Sequence, residues 1–161
     1  MAVGRIVGGI AGLGLVGAGY VGLGGEDSTT RNEQGEITEG GELGAFRIRV
    51  GDCLGAATGE IIESVEGVPC SQPHDSEVYH AFMLPPGDFP GLDAVIDQAG
   101  AGCVAAFEPF VGAPYETSTY DINLIYPTEA SWAELGDREV LCNVVNVDGS
   151  PLVGSAKGTA R

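Results

Sequence analysis

The side chains able to do chemistry are few and lie close together. His74, Asp75, Glu77 and His80 supply two imidazoles and two carboxylates within seven positions. That set could ligate a metal ion or relay protons. A structural use competes, in which Pro73-His74 caps a turn by hydrogen-bonding its own backbone. If Val78–Leu84 is a strand, His80 shares a face with Val78 while Tyr79 points the other way. Four cysteines, Cys53, Cys70, Cys103 and Cys142, have no CxxC or HxxxH partner, which weakens a zinc reading. Asp137-Arg138 reads as a turn whose arginine pairs a buried carboxylate such as Asp52. Trp132 with Tyr115, Tyr120 and Tyr126 could line a groove for sugar or peptide, although core packing is the commoner use. No GxSxG, HExxH or Walker loop occurs. The residues therefore assign no catalytic group, no cofactor and no metal.

Two GxGxxG matches, Gly12–Gly17 and Gly17–Gly22, look like a dinucleotide fingerprint. That fingerprint works only between a strand and a helix. Here an acidic stretch without apolar period follows, so the match is a decoy. The same glycines suit helix packing. Gly4, Gly8 and Gly12 repeat at four-residue spacing, as do Gly14, Ala18 and Gly22, and such rows let membrane helices approach closely.

These residues must be held by elements, and the elements follow from composition. The chain has 161 residues, 23 acidic against 7 basic, and a net charge of −16. That balance argues against a nucleic-acid partner, which requires clustered Lys and Arg. Residues 6–25 carry no charge. As a helix they would span about 30 Å, the hydrocarbon thickness of a bilayer. Arg5 precedes them, so the amino terminus should stay in the cytoplasm and the remainder should face outward. A cleaved signal competes, with Gly22 and Gly24 at the small-residue positions before Gly25. Length favours the uncleaved anchor, residues 1–25.

Residues 26–44 hold six acidic side chains and one arginine. They read as a flexible acidic tether of about 24 Å root-mean-square span. Residues 45–158 then form the extracytoplasmic domain. Four cysteines outside a membrane point to two disulfides. Three pairings are open; the one adopted is Cys53–Cys70, closing a local loop, with Cys103–Cys142 tying the main helix to the last strong strand.

Periodicity places the elements. Phe46–Val50 alternates as a strand that ends at Gly51-Asp52. Ile61–Val68, Val78–Leu84, Ile122–Tyr126 and Glu139–Val147 read as further strands. Asp148-Gly149 reads as a hairpin turn into Leu152-Val153. Between Gly91 and Phe110 the apolar positions have helical spacing, with Pro109 marking the end. Thr128–Leu135 makes one or two helical turns around Trp132. The fold class is α+β: an N-terminal transmembrane helix, then a small disulfide-stapled antiparallel sheet with one main helix on one face.

The blocks Val50-Gly51-Asp52-Cys53, Pro69-Cys70-Ser71-Gln72-Pro73-His74 through Glu77-Val78, Ser131-Trp132 and Gly136-Asp137-Arg138-Glu139-Val140-Leu141-Cys142 stand in order. The chain resembles the septum-formation domain family of actinobacterial envelope proteins over about residues 50–158. The resemblance implies a membrane-anchored or secreted protein of the cell envelope and septum, with no established reaction. The expected function is a non-enzymatic single-pass adaptor in an envelope or septum assembly. It would have partner helices in the membrane and a protein partner outside it. An accessory subunit of a large membrane complex, of respiration or transport, is the alternative. A metal- or ligand-binding enzyme or sensor using His74 is the rival from another class.

Overall fold

The last strand shows how one stretch can serve two cores. Along Glu139–Asn146, Val140, Cys142 and Val144 point to one side of the sheet and Leu141 to the other, all fully buried. Such a strand must lie in the middle of a sheet covered on both faces. It does so in the computed structural model, which describes residues 5–7, 25–58 and 61–161.

In chain order the strands are β1 (Arg5–Val7), β2 (Thr30–Arg31), β3 (Ile37–Glu39), β4 (Gly41–Gly44), β5 (Cys53–Leu54), β6 (Ser64–Val68) and β7 (Ser76–Met83). Helix α1 (Leu92–Val111), a 3₁₀ turn at Tyr115–Thr117, β8 (Tyr120–Pro127), α2 (Glu129–Leu135) and β9 (Glu139–Asn146) follow. The main sheet runs β1-β8-β9-β7-β5-β6-β4, and its pairings are antiparallel. β2 and β3 form a separate hairpin.

Helix α1 covers one face. Its buried stripe, Val95, Ala99, Cys103, Phe107 and Val111, recurs every fourth residue, the spacing that brings side chains onto one helix face. Pro109 lies inside α1 instead of ending it. The helix stops at Gly112, in the left-handed conformation, whose N–H donates to Glu108 O at 2.8 Å. Fully buried Val111 keeps the last turn attached. Helix α2 starts with a capping box, Thr128 and Ser131 each accepting the other's backbone N–H. On the opposite face Leu43, Ala45, Ile48, Leu54, Ile62, Val65, Val78, Ile125 and Leu141 form a second core.

Two disulfides join Cys53 to Cys70 and Cys103 to Cys142. Gly102 makes room for the Phe82 ring where α1 meets β7: a Cβ there would lie 2.3 Å from the far end of that ring, which would have to move. Gly102→Ala should therefore cost about 1–3 kcal/mol by overpacking. Urea melts of the two proteins check this, and equal midpoints would contradict it.

Several expectations need correction. Residues 26–44 are not a loose tether, for they carry β2, β3 and β4. Leu43 is fully buried and Ile37 nearly so, which composition averaged over 19 residues hides. Phe46–Val50 is turn and irregular backbone, not a strand. Its alternation reflects Ile48 tucking under the second core, with Gly51 at φ 95° turning the chain. Leu152 pairs not with β9 but with His74, through Leu152 N–H to His74 O at 2.7 Å and the reciprocal bond at 3.0 Å. Asn146 holds the intervening loop by donating to Ser150 O and Pro151 O.

The helical anchor and its packing row, Gly8, Gly12, Gly14, Ala18 and Gly22, lie outside the described residues except at the margins of the span. Ile6 and Val7, expected to open that helix, are strand residues paired with Tyr126 and Ile125. The edge of β8 leaves backbone N–H and C=O groups free to take a short extended segment. Among the described residues no helix is long and apolar enough to cross a membrane.

Candidate functional site

The segment from Cys70 to His80 runs from the first disulfide into β7, and the structure disperses its chemistry. His74 is buried, and its Nδ1–H donates to Gln72 O at 2.8 Å. This places a hydrogen on Nδ1 and caps the turn after Cys70. Its Nε2 is buried without a hydrogen-bond partner among the described residues. Asp75 is exposed, and its backbone N–H donates to Leu54 O at 2.8 Å. Glu77 is 4% exposed and accepts from Ser155 Oγ at 2.6 Å and Ala156 N–H at 2.7 Å.

His80 does not share the face of Val78. The register of β7 on β9 slips between Val78 and His80. A bulge of this kind re-aims the residues that follow it. His80 accordingly stacks on Phe82, centroids 5.8 Å apart, and Phe82 packs on the α1 side. His74, Asp75, Glu77 and His80 thus form no common ligand set.

Arg138 does not pair with Asp52. It lies 3.6 Å over the Trp132 ring and donates to the carbonyls of Trp132, Asp137 and Gly87. Asp137, mostly buried, accepts from Ser131 Oγ and Glu139 N–H. Trp132, Tyr120 and Tyr126 belong to the buried core, and Tyr115 packs against Phe107 at its edge. They form no exposed aromatic groove. Tyr115 donates to Asp121 Oδ1 at 2.7 Å, and that bond, with some burial, pushes its phenol up to about 12.

The partner of Asp52 comes from the stretch expected to be a tether. Arg31 donates from Nη1 to Asp52 Oδ1 at 2.6 Å and from Nη2 to Oδ2 at 3.1 Å. Asp52 is 2% exposed. Arg31 also reaches Asp27 at 3.4 Å, and Asp27 accepts from Thr29 N–H. Burial and the two aspartates act on Arg31 together: the Asp52 hydrogen bond dominates, burial opposes it, and the guanidinium is held more firmly charged than usual. At Asp27 burial raises the carboxyl, but Thr29 and Arg31 outweigh it and bring it below 3.8. The one signal that could have found this network is a single arginine in a run with six acids.

Arg31→Ala should cost about 3 kcal/mol or more, because it leaves a buried carboxylate without its cation. The sign for Asp27 is that of a depressed acid: its contribution is present above the ordinary carboxylate value and lost as pH falls through the lowered one. Thermal melts of the wild type and Asp27→Asn should therefore differ at pH 7 and converge below about pH 4. A gap that stays constant with pH would contradict the network's role.

Where the β2–β3 hairpin, the Gly51 turn, the Cys70 turn and the carboxyl-terminal strap meet, an open groove of about 480 Å³ forms. Ile37, Val50 and Phe110 give it apolar walls; Cys70, Glu77 and Lys157 give it chemistry. The size is that of a small-ligand cleft. Sulfur atoms of Cys53 and Cys70 and a carboxylate oxygen of Glu77 lie within 4.8 Å of one another.

Comparison with known proteins adds a family. A model described as septum formation matches residues 29–119 and 50–161. Lipoprotein LppN of Mycobacterium bovis is 29% identical over 117 residues, covering 70% of this chain and 63% of its own length. LppN of Mycobacterium tuberculosis is 28% identical over the same shares. The chain thus spans less than two thirds of these relatives. No solved structure matches it significantly.

Proposed function

We propose, from the premise that the chain belongs to the septum-formation family, that it is a non-enzymatic adaptor in an envelope or septum assembly, held at the membrane with its disulfide-bonded domain outside it. The observation that carries this reading is that every cysteine is paired, in two bridges within one small domain. Two structural disulfides are made and kept in an oxidising space. The name lipoprotein borne by LppN supports a place at the membrane surface.

An adaptor needs a rigid shape more than a reactive group, and this domain spends its polar side chains on shape. His74 caps a turn, Glu77 fastens the carboxyl-terminal strap, and Asp52 and Arg31 lock the amino-terminal hairpin. With a net charge of −16, the outer surface suits a partner of positive potential.

Protease added to intact spheroplasts should degrade a carboxyl-terminal tag. Crosslinking in native membranes should then recover division or envelope proteins. Protection of the carboxyl-terminal tag would overturn the topology. A chain recovered alone after crosslinking would overturn the adaptor role.

A further inference from the structure

The two disulfides differ in access. Cys103 and Cys142 are both fully buried between α1 and β9, and Tyr79 donates to the Cys103 carbonyl above them. Cys53 is buried as well, but Cys70 is partly exposed and lines the groove. Thiol–disulfide exchange requires the attacking thiolate to reach a sulfur. A thiol entering the groove can reach Cys70, whereas none reaches Cys103 or Cys142 without displacing α1.

Beside that sulfur stands Glu77. Its carboxylate is nearly buried and already fixed in orientation, one oxygen accepting from Ser155 Oγ and the other from the Ala156 N–H. A carboxylate offers about four lone-pair sites, so each oxygen keeps a free one. Carboxylates that ligate metals are characteristically held by such outer hydrogen bonds. Two sulfurs and one carboxylate oxygen within 4.8 Å of one another are the donor types that zinc-like ions take, with the fourth position open to solvent from the groove.

We propose that the Cys53–Cys70 bridge is a redox-gated metal site: once it is reduced, Cys53, Cys70 and Glu77 bind one zinc-type divalent cation at the floor of the groove. A dithiol reductant supplies two electrons, the S–S bond breaks, two thiols form on the protein, and the reductant becomes the disulfide. The ion then binds two thiolates and the Glu77 carboxylate, and two protons leave to solvent. The sulfurs must part to about 3.8 Å for tetrahedral bonds of about 2.3 Å. Cys70, in its partly exposed turn, can supply that movement while Cys53 stays on β5. A disulfide oxidant reverses the process: it takes the two electrons and becomes a dithiol, the Cys53–Cys70 bond re-forms, and the ion leaves as its two thiolate ligands are lost.

The test uses the full chain, a phosphine reductant and Co²⁺ or Zn²⁺ alone. Limited reduction followed by alkylation and mass mapping should label Cys53 and Cys70 while Cys103–Cys142 remains bridged. That form should bind one Co²⁺ per chain with a thiolate-to-cobalt charge-transfer band, and Zn²⁺ should displace it; the oxidised chain should bind none. Glu77→Gln should weaken Co²⁺ binding at least about tenfold. Should Glu77→Gln lose its near-ultraviolet circular dichroism, Cys70→Ser decides: in the reduced state it lacks one sulfur and should lose the one-to-one site. Opening of Cys103–Cys142 first, absence of the band in the reduced chain, or equal binding by a folded Glu77→Gln or by Cys70→Ser would overturn the proposal.

Discussion

A chain shortened to residues 45–161 should fail to fold, whereas 25–161 should melt cooperatively. The boundary at Ala45 suggested by composition cuts through the sheet. It removes β4, so β6 loses the partner that pairs Gly41 to Gly67 and Leu43 to Val65, and a sheet edge opens. It removes the fully buried Leu43 and the nearly buried Ile37, each contributing about 2 kcal/mol of apolar burial. Ile37 sits so close over Gly67 that a Cβ there would lie 2.9 Å from its Cδ1. Arg31 goes too, leaving buried Asp52 without its cation and held by the Arg49 N–H, itself a loss of about 3 kcal/mol or more. Against a domain stability of about 5–15 kcal/mol, these losses are decisive. Near-ultraviolet circular dichroism and dye binding distinguish the outcomes. A native spectrum from 45–161 would show that the hairpin is dispensable.

The second large effect falls on the deeper disulfide. Cys103–Cys142 spans 39 residues, and cross-linking a loop of that length stabilises by about 4 kcal/mol in the chain-entropy account. For Cys53–Cys70, with a separation of 17, the figure is about 3 kcal/mol. Replacing Cys103 and Cys142 together with alanine should lower Tm by about 12 °C, and the loss should exceed that for the Cys53/Cys70 pair. Differential scanning calorimetry under non-reducing conditions checks both size and order. An unchanged Tm in the Cys103/Cys142 variant would mean that packing alone holds α1 on the sheet.

What could be read from the residues was local and periodic. The α1 stripe repeats every fourth position with Cys103 on it, so helix, buried face and approximate ends were all visible. The apolar run of β9 was equally plain. What escaped was non-local. Arg31 meets Asp52 across 21 positions, and the lone arginine in the acidic run signals a network without pointing to that partner. Leu152 follows a turn signal that should return it to β9, yet it pairs with His74, because the strap must cross to Cys70 and Glu77. The face of His80 depended on a single extra residue in β7; period-two counting has no means of placing a bulge. For the candidate site, Cys70 and Glu77 were visible as residue types. Their proximity was hidden, since it is made by β5, the Cys70 turn and the strap together.

The proposed envelope location requires this polypeptide to mature where thiols become bridges. The direct measurement is to quench intact cells rapidly with acid, alkylate the denatured protein at neutral pH with a thiol-blocking reagent, and map the cysteines by mass spectrometry without reduction. Peptides joined through Cys53–Cys70 and Cys103–Cys142, with no blocked Cys103 or Cys142, are the predicted result. A chain whose Cys103 and Cys142 are both free and blocked in the quenched cells would contradict it.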